Sequence, residues 1–327
     1  MSDLLFTLNA VLPIVLIVAL GYVLKRIKLV TPGGAKEMNK LVFKVFLPCM
    51  LFMNIYGIND FGSIDFTFII YVLAVVLLIF AAALLTVGLI TPDNRRKGAL
   101  MQAAFRSNYA LIGIPLATSI FGAEGGALAT LLSAFSIPLF NVLAVIALTV
   151  FAEGEKKRIS VKKILIGIVK NPLIQSIALG GVALIIRALL VHYGIEFRLS
   201  DIKPVYKILG QLSAVATPIA LIVLGANFEF SSVPGMKKEI IAGVTARLLI
   251  APIVGIGLAL LLGIFDNAHY AVFVATFGTS MAVSTVPMAQ EMDSDHELTG
   301  QLVIWTTLIS AFSLFVFIYL LRVIGIF

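Results

Sequence analysis

Apolar stretches of about 20 residues recur along the chain, each long enough to cross roughly 30 Å of hydrocarbon as a helix. Short clusters of basic and turn-forming residues separate them. The pattern predicts ten membrane-spanning helices at 4–25, 36–57, 66–90, 98–121, 124–152, 164–191, 204–227, 238–263, 267–290 and 298–325. A β-barrel needs short segments that alternate apolar and polar residues. Runs such as Tyr71 to Ile90 do not alternate, so the expected fold class is all-α and integral to the membrane.

Composition agrees. Of 327 residues, 60% are hydrophobic and only 13% charged, with a mean hydropathy of +1.08. Soluble chains run to about 45–50% apolar and about 25% charged. The first apolar run lacks a preceding basic region and a small-residue cleavage site, and Lys25, Arg26 and Lys28 follow it. It is therefore expected to stay as a first helix rather than be removed. The single cysteine, Cys49, excludes an intramolecular disulfide or a multi-cysteine metal site.

The net charge of +7 would suit nucleic acid if the bases formed one patch. They fall instead into alternate loops. Lys25–Lys44, Arg95–Lys97, Lys156–Lys170 and Lys237–Lys238 lie on one side, against Arg187, Arg198, Lys203, Lys207 and Arg322 on the other. The positive-inside rule then sets both termini outside, in an inner (plasma) membrane. One inner loop, Glu291–Glu297, is acidic and stands apart from that pattern.

The two halves of the chain echo each other. Pro13 to Gly21 in span 1 matches Pro172 to Gly180 in span 6, and Pro48 matches Pro218. Ile114-Pro115-Leu116-Ala117 in span 4 resembles Val286-Pro287-Met288-Ala289 in span 9. Leu132 to Ser136 resembles Ile309 to Ser313. Five spans per copy is an odd number, so the second copy enters from the opposite side. The expectation is two inverted five-helix repeats, residues 1–152 and 164–327, joined by a cytoplasmic linker at 153–163.

Spans 4 and 9 each carry a proline near mid-membrane, Pro115 and Pro287, preceded by small or hydroxyl residues. Proline removes a helical donor and frees carbonyls. Bare backbone at this depth is tolerated only inside protein or beside a water-filled cavity. A matched pair of interrupted helices is expected to cross at one midplane site, with Gly113, Pro115 and Pro287 at the crossing. None of the 17 acids falls near a predicted midplane, whereas Arg106 and Arg247 lie roughly 13–14 Å deep at 1.5 Å per residue.

A deep arginine is costly unless it faces a cavity or a partner. The functional reading is attraction of an anionic substrate; the structural one is capping of helix carbonyls or snorkelling. Asn108, Ser280, Ser284, Thr285 and Asn141 are the candidate hydrogen-bonding groups. His192 and His269 are expected near the outer surface and His296 in the acidic loop, all solvated.

The segments FRSNYALIGIPLA at 105–117, IPLFNVLAV at 137–145, KNPLI at 170–174 and ARLLIAP at 246–252 resemble the auxin efflux carrier family. The resemblance runs over nearly the whole chain. Its bacterial branch includes proteins described as malate or malonate permeases. It implies the ten-helix inverted-repeat fold shared with bile acid:sodium symporters. There, spans 1, 2, 6 and 7 form a scaffold and spans 3–5 and 8–10 a moving transport unit. It also places the crossover prolines on Pro115 and Pro287 and a substrate-facing asparagine on Asn108. The short linker fits a bacterial member.

The expected function is therefore secondary active transport of small organic anions, such as malate, malonate or auxin-like acids, by elevator-type alternating access. The substrate and the lipid bilayer are the expected partners. No enzyme activity, nucleic acid, bound cofactor or protein metal site is expected. The coupling ion stays open between Na+ and H+. Related carriers pair through scaffold helices, which admits a homodimer. The competing readings are a non-transporting sensor on a carrier fold and a cation-coupled carrier of another solute.

Overall fold

The computed structural model describes residues 2–57, 65–152, 161–228 and 230–327. Among them the chain is helical with no strand, apart from one isolated β-bridge. The helices are α1 (Ser2–Arg26), α2 (Pro32–Leu41), α3 (Leu47–Tyr56), α4 (Phe66–Ile90), α5 (Asn94–Phe105), α6 (Ile114–Val150) and α7 (Val161–Lys170). Then follow α8 (Pro172–His192), α9 (Lys203–Asn227), α10 (Lys237–Thr245), α11 (Ala251–Leu262), α12 (Asn267–Phe273), α13 (Thr285–Glu291) and α14 (His296–Val323). Wider π-turns join α2 to α3 (Val42–Phe46) and α10 to α11 (Ala246–Ile250), so each pair continues through one apolar stretch. The expected linker falls outside the described residues except at 161–163.

Among the described residues, seven stretches are long and apolar enough to cross a membrane. One of them, Tyr109–Val150, covers 42 residues, from the middle of the fourth expected segment through nearly all of the fifth. The chain reverses inside it at Phe121–Gly122. Gly122 has φ +63° and ψ −151°, a region essentially closed to side-chain-bearing residues. The sixth expected span differs more. The apolar run predicts one helix over 164–191, but the chain breaks at Asn171 between α7 and α8. Asn171 Oδ1 accepts from Leu173 N at 2.9 Å and Pro172 takes the first helical position, so a strong local start signal overrides the continuous apolar run.

Other helices start on equally local signals. Asp65 accepts from Phe68 N at 3.1 Å, Asp93 from Arg95 N at 2.8 Å, and Asp295 from Leu298 N at 2.8 Å. The acidic loop finds its counterpart in the basic one. Arg96 lies 2.9 Å from Glu239 and 3.4 Å from Asp295, and its hydrogen bond to Glu239 raises its pKa. Arg95 O accepts from Ser294 Oγ at 2.9 Å.

The helices pack in two sets. In one, α1 lies along α9, and α3 lies between α8 and α9. In the other, α4, α5 and α6 pack with α10 to α14. α1 also runs against α14, across the boundary between the sets.

Candidate functional site

Two helices of the second set are interrupted, and their gaps meet. After α5 the backbone leaves helical geometry at Arg106 (φ −92°, ψ 96°) and re-enters through a π-turn at Tyr109–Gly113 that leads into α6. After α12 and its own π-turn, Val274–Gly278, Thr279 is extended (φ −74°, ψ 160°), and α13 begins only at Thr285. Ser, Thr and Asn hydrogen-bond locally and compete with helical backbone pairing, and Ser107-Asn108 and Thr279-Ser280 occupy the gaps. Ser107 and Met281 face each other in an antiparallel bridge. Asn108 N donates to Ser280 O at 2.8 Å, and Ala282 N donates to Arg106 O at 3.1 Å. Each gap thus supplies partners for the other, as buried backbone requires.

The crossing lies upstream of the prolines. Pro115 follows directly on the π-turn, seventh in the helical run that begins at Tyr109, and Pro287 is the third residue of α13. Both lie in the second half-helices, downstream of the gaps. Gly113 allows close approach: a Cβ there would lie 2.8 Å from Tyr109 Cδ2 and 3.0 Å from Ala275 O.

A cavity of about 60 Å³ opens against the crossing, between the two helix sets. Arg106, Ser107, Asn108, Asn141 and Ser284 line it from the interrupted set, and Met50 and Thr217 line it from the other. Drug-sized ligands occupy roughly 300–1,000 Å³. In this conformation the cavity admits a small polar group and water.

Arg106 is 2% exposed. Its Nη1 donates to Gln102 Oε1 at 2.8 Å and lies 3.0 Å from Met288 Sδ. Its Nη2 donates to Asn141 Oδ1 at 2.9 Å and Ser284 Oγ at 3.2 Å. Asn141 is itself oriented by donation from Nδ2 to Ile137 O at 2.8 Å. Every one of these partners is neutral, and no acid approaches Arg106 among the described residues. The guanidinium is held by polar groups but its charge is not balanced. A buried charge in this state attracts an anion strongly, since low-dielectric walls screen it little. Beside it, Ser107 Oγ and Asn108 Nδ2 have no hydrogen-bond partner although both residues are buried. Buried polar atoms without partners are rare, and these line the cavity.

Arg247 has a different place. It is 1% exposed, does not line the cavity, and donates only to main-chain carbonyls. Nε reaches Thr279 O at 2.9 Å, and Nη2 reaches Thr276 O at 2.8 Å and Phe277 O at 2.7 Å. Nη1 reaches Ala104 O at 3.4 Å. It caps the carbonyls that both interruptions leave free. Thr285 is likewise turned inward, with Oγ1 on Ala282 O at 2.6 Å. Ser280 is fully buried with an unpartnered hydroxyl, but it meets the site through its main-chain carbonyl rather than as a lining side chain.

Of the residues singled out in the sequence, Arg106, Asn108, Asn141 and Ser284 come together around the cavity. Ser107, Gln102, Thr217 and Met50 were not singled out. Gln102 was accessible in principle, being one helical turn before Arg106. Thr217 and Met50 reach the site only through packing between the helix sets. His269 also differs from expectation. It is buried, 4.6 Å from the Phe68 ring and 5.9 Å from Phe265, because α12 starts beneath the start of α4 rather than in solvent.

An all-helical chain with multiple apolar spans, enclosing an uncompensated cation and unpartnered polar groups where two helices are interrupted, defines a multi-pass membrane protein of the transporter class. The chain belongs to the membrane transport protein family, the auxin efflux carrier-like transporters, which matches residues 6–318. It is similar to an uncharacterized transporter of Methanothermobacter thermautotrophicus, 26% identical over 313 residues that cover 94% of this chain and 95% of that protein.

Proposed function

We propose that this protein is a secondary active transporter of small organic anions, with the carboxylate of the substrate bound at Arg106. The observation that carries the reading is the Arg106 guanidinium: buried, facing a cavity, and without an acidic partner. Ser107 Oγ and Asn108 Nδ2 then supply the further hydrogen bonds that a carboxylate accepts.

Among the described residues, Arg106 is the one cation that lines the cavity. With Arg247 engaged by carbonyls, a second buried carboxylate would find no balancing charge and would carry a large desolvation penalty. This favours acids with one ionised carboxylate at the site, auxin-like in that respect, over malate or malonate bound as dianions. The apolar side chains of Leu47, Leu51, Ile137 and Phe140 in the same lining favour an apolar body on that acid.

Admission of a whole solute requires the two helix sets to part at the cavity. An elevator motion does this: the set holding the crossing (α4–α6 and α10–α14) slides along the set formed by α1–α3, α8 and α9. Ten spans in two inverted repeats and outward-facing termini complete the reading, supported by the paired interruptions and the loop charges. Coupling to Na+ or H+ and pairing of two copies through the α1–α3, α8, α9 set belong to it as well.

Uptake of labelled indole-3-acetate, malate and malonate into proteoliposomes, with and without imposed Na+ and pH gradients, tests the proposal. Saturable uptake of a monocarboxylate that Arg106→Ala abolishes is the expected result. Uptake unaffected by Arg106→Ala would refute the assigned site, and single-channel currents would refute a carrier.

A further inference from the structure

We infer that Arg106 binds a small monovalent inorganic anion, of the size and charge of chloride, and that this anion and the organic acid compete for one site. The competition rests on the transport reading; the anion site rests on the cavity alone. Arg106 is 2% exposed and keeps its charge at neutral pH. Its partners Gln102, Met288, Asn141 and Ser284 are neutral, and no Asp or Glu lines the cavity among the described residues. Neutral dipoles lessen the cost of burying an ion but bring no opposite charge. A counter-anion in the cavity brings it.

Hydrogen-bond donors gather at the same place. A guanidinium has five N–H groups. Nη1 serves Gln102 and Met288, and Nη2 serves Asn141 and Ser284, so Nε–H has no partner among the described residues. Ser284 accepts from Arg106, which leaves its hydroxyl hydrogen to point elsewhere. Ser107 Oγ and Asn108 Nδ2 are unpartnered in residues only 3% and 4% exposed. Arg106, Ser107, Asn108 and Ser284 all line the cavity. A spherical ion accepts from several donors at once, without the planar geometry that a carboxylate requires.

Volume and charge select the ion. One water takes about 10–15 Å³ of such space. The cavity, at about 60 Å³, holds a chloride-sized ion with water beside it, whereas a whole organic acid needs the helix sets to part. One arginine balances one negative charge, so a dianion would carry an excess charge into a buried place. Leu47, Leu51, Ile137 and Phe140 form the apolar part of the wall. They offer a strongly hydrated ion such as sulfate nothing in exchange for its water.

Chloride is to be titrated against the purified protein in a non-ionic detergent while the width of the chloride NMR signal is followed, since bound chloride relaxes fast and broadens it. The expected result is a saturable broadening that Arg106→Gln abolishes, that nitrate displaces and that sulfate at the same concentration does not. Asn108→Asp, which sets a carboxylate beside Arg106, should abolish it too, and serves if Arg106→Gln folds poorly. Lys44→Gln, which removes an exposed cation outside the cavity, should leave it unchanged. In proteoliposomes, chloride at the concentration that half-saturates the broadening should raise KM for the transported acid about twofold and leave the maximal rate unchanged. Broadening by the wild type no greater than by Arg106→Gln and Asn108→Asp would overturn the anion site, even with Arg106-dependent uptake intact. Equal displacement by sulfate would overturn its selectivity for one charge, and a KM indifferent to chloride would overturn the competition. Broadening that depends on Arg106, beside uptake that does not, would uphold the anion site and refute the transport reading of Arg106.

Discussion

Asn108 donates its main-chain N–H to the carbonyl of Ser280 at 2.8 Å, across the point where two interrupted helices meet. With the return bond from Ala282 N to Arg106 O, this makes one antiparallel bridge at the centre of a helical protein. The bridge fixes where Arg106 and Asn108 leave their backbone, so the side chains that line the cavity are positioned by main-chain pairing. Under the proposed elevator motion, a site held this way keeps its geometry while its helix set slides.

Arg106 is expected to govern substrate binding more than stability. Arg106→Lys keeps a charge but loses the planar fork that spans Gln102 and Asn141, and should raise KM by about 10- to 100-fold, the equivalent of one charge-assisted hydrogen bond. Arg106→Gln removes the charge and should abolish anion uptake. Its melting temperature should be close to that of the wild type, because loss of hydrogen bonds is offset by relief from burying an unbalanced ion. Uptake and thermal melting measured on the same preparations check this; a collapse of stability with retained uptake would reverse the assignment.

Asn108 and Ser107 should act on affinity with graded strength. Asn108→Asp places an anion beside Arg106 and occupies the charge that the substrate needs, so uptake should fall at least about tenfold. Ser107→Ala removes a hydroxyl that has no partner in the protein, so folding should be untouched while KM rises by about two- to tenfold. A Ser107→Ala variant with wild-type KM would show that the hydroxyl does not meet the substrate.

Arg247 is expected to behave in the opposite way. Its removal leaves the carbonyls of Ala104, Thr276, Phe277 and Thr279 without their donor in a buried crossing. At about 1–3 kcal/mol for each buried polar group left unpaired, Arg247→Ala should lose most of its folded yield. Arg247→Lys carries three donors on a point-like head and should recover only part of it. Millimolar guanidinium chloride should raise the melting temperature of Arg247→Ala and leave the wild type unchanged. Equal melting temperatures of Arg247→Ala and wild type would show that the carbonyls find other partners.

Much of this was legible in the sequence because the signals are local. Apolar run length marks the chain as helical and membrane-spanning, and caps such as Asp65, Asp93 and Asp295 sit beside the helices they start. Arg106 and Asn108 stood out because charge and amide groups are rare at that depth. The position of the interruption was not legible. Pro115 and Pro287 suggest breaks by their chemistry, yet both lie downstream of the gaps, and the bonds that stabilise the gaps join residues about 170 positions apart. The burial of His269 and the split roles of Arg106 and Arg247 have the same origin. Both arginines look alike along the chain, and only the fold decides that one meets a cavity and the other four carbonyls.

The α1/α9 contact yields the most stringent test of the packing. Gly21 and Gly225 each face main-chain atoms of the other helix: Gly21 faces Ile222 O, and Gly225 faces Val18 O and Tyr22 N. A methyl group added at either position meets backbone, which cannot turn aside as a side chain can, so the helices would have to separate along their length. Close backbone approach at small residues is the means by which helices associate in lipid, where no hydrophobic force draws them together. Gly225→Ala should therefore reduce folded yield and melting temperature sharply, and Gly21→Ala similarly. Gly181→Ala, where nothing lies within 4 Å of the added methyl, should be neutral or slightly stabilising, because alanine favours helix by about 1 kcal/mol over glycine. Thermal melting of the three variants in one detergent checks the ordering. If Gly225→Ala melts with Gly181→Ala, then α1 and α9 do not touch as described.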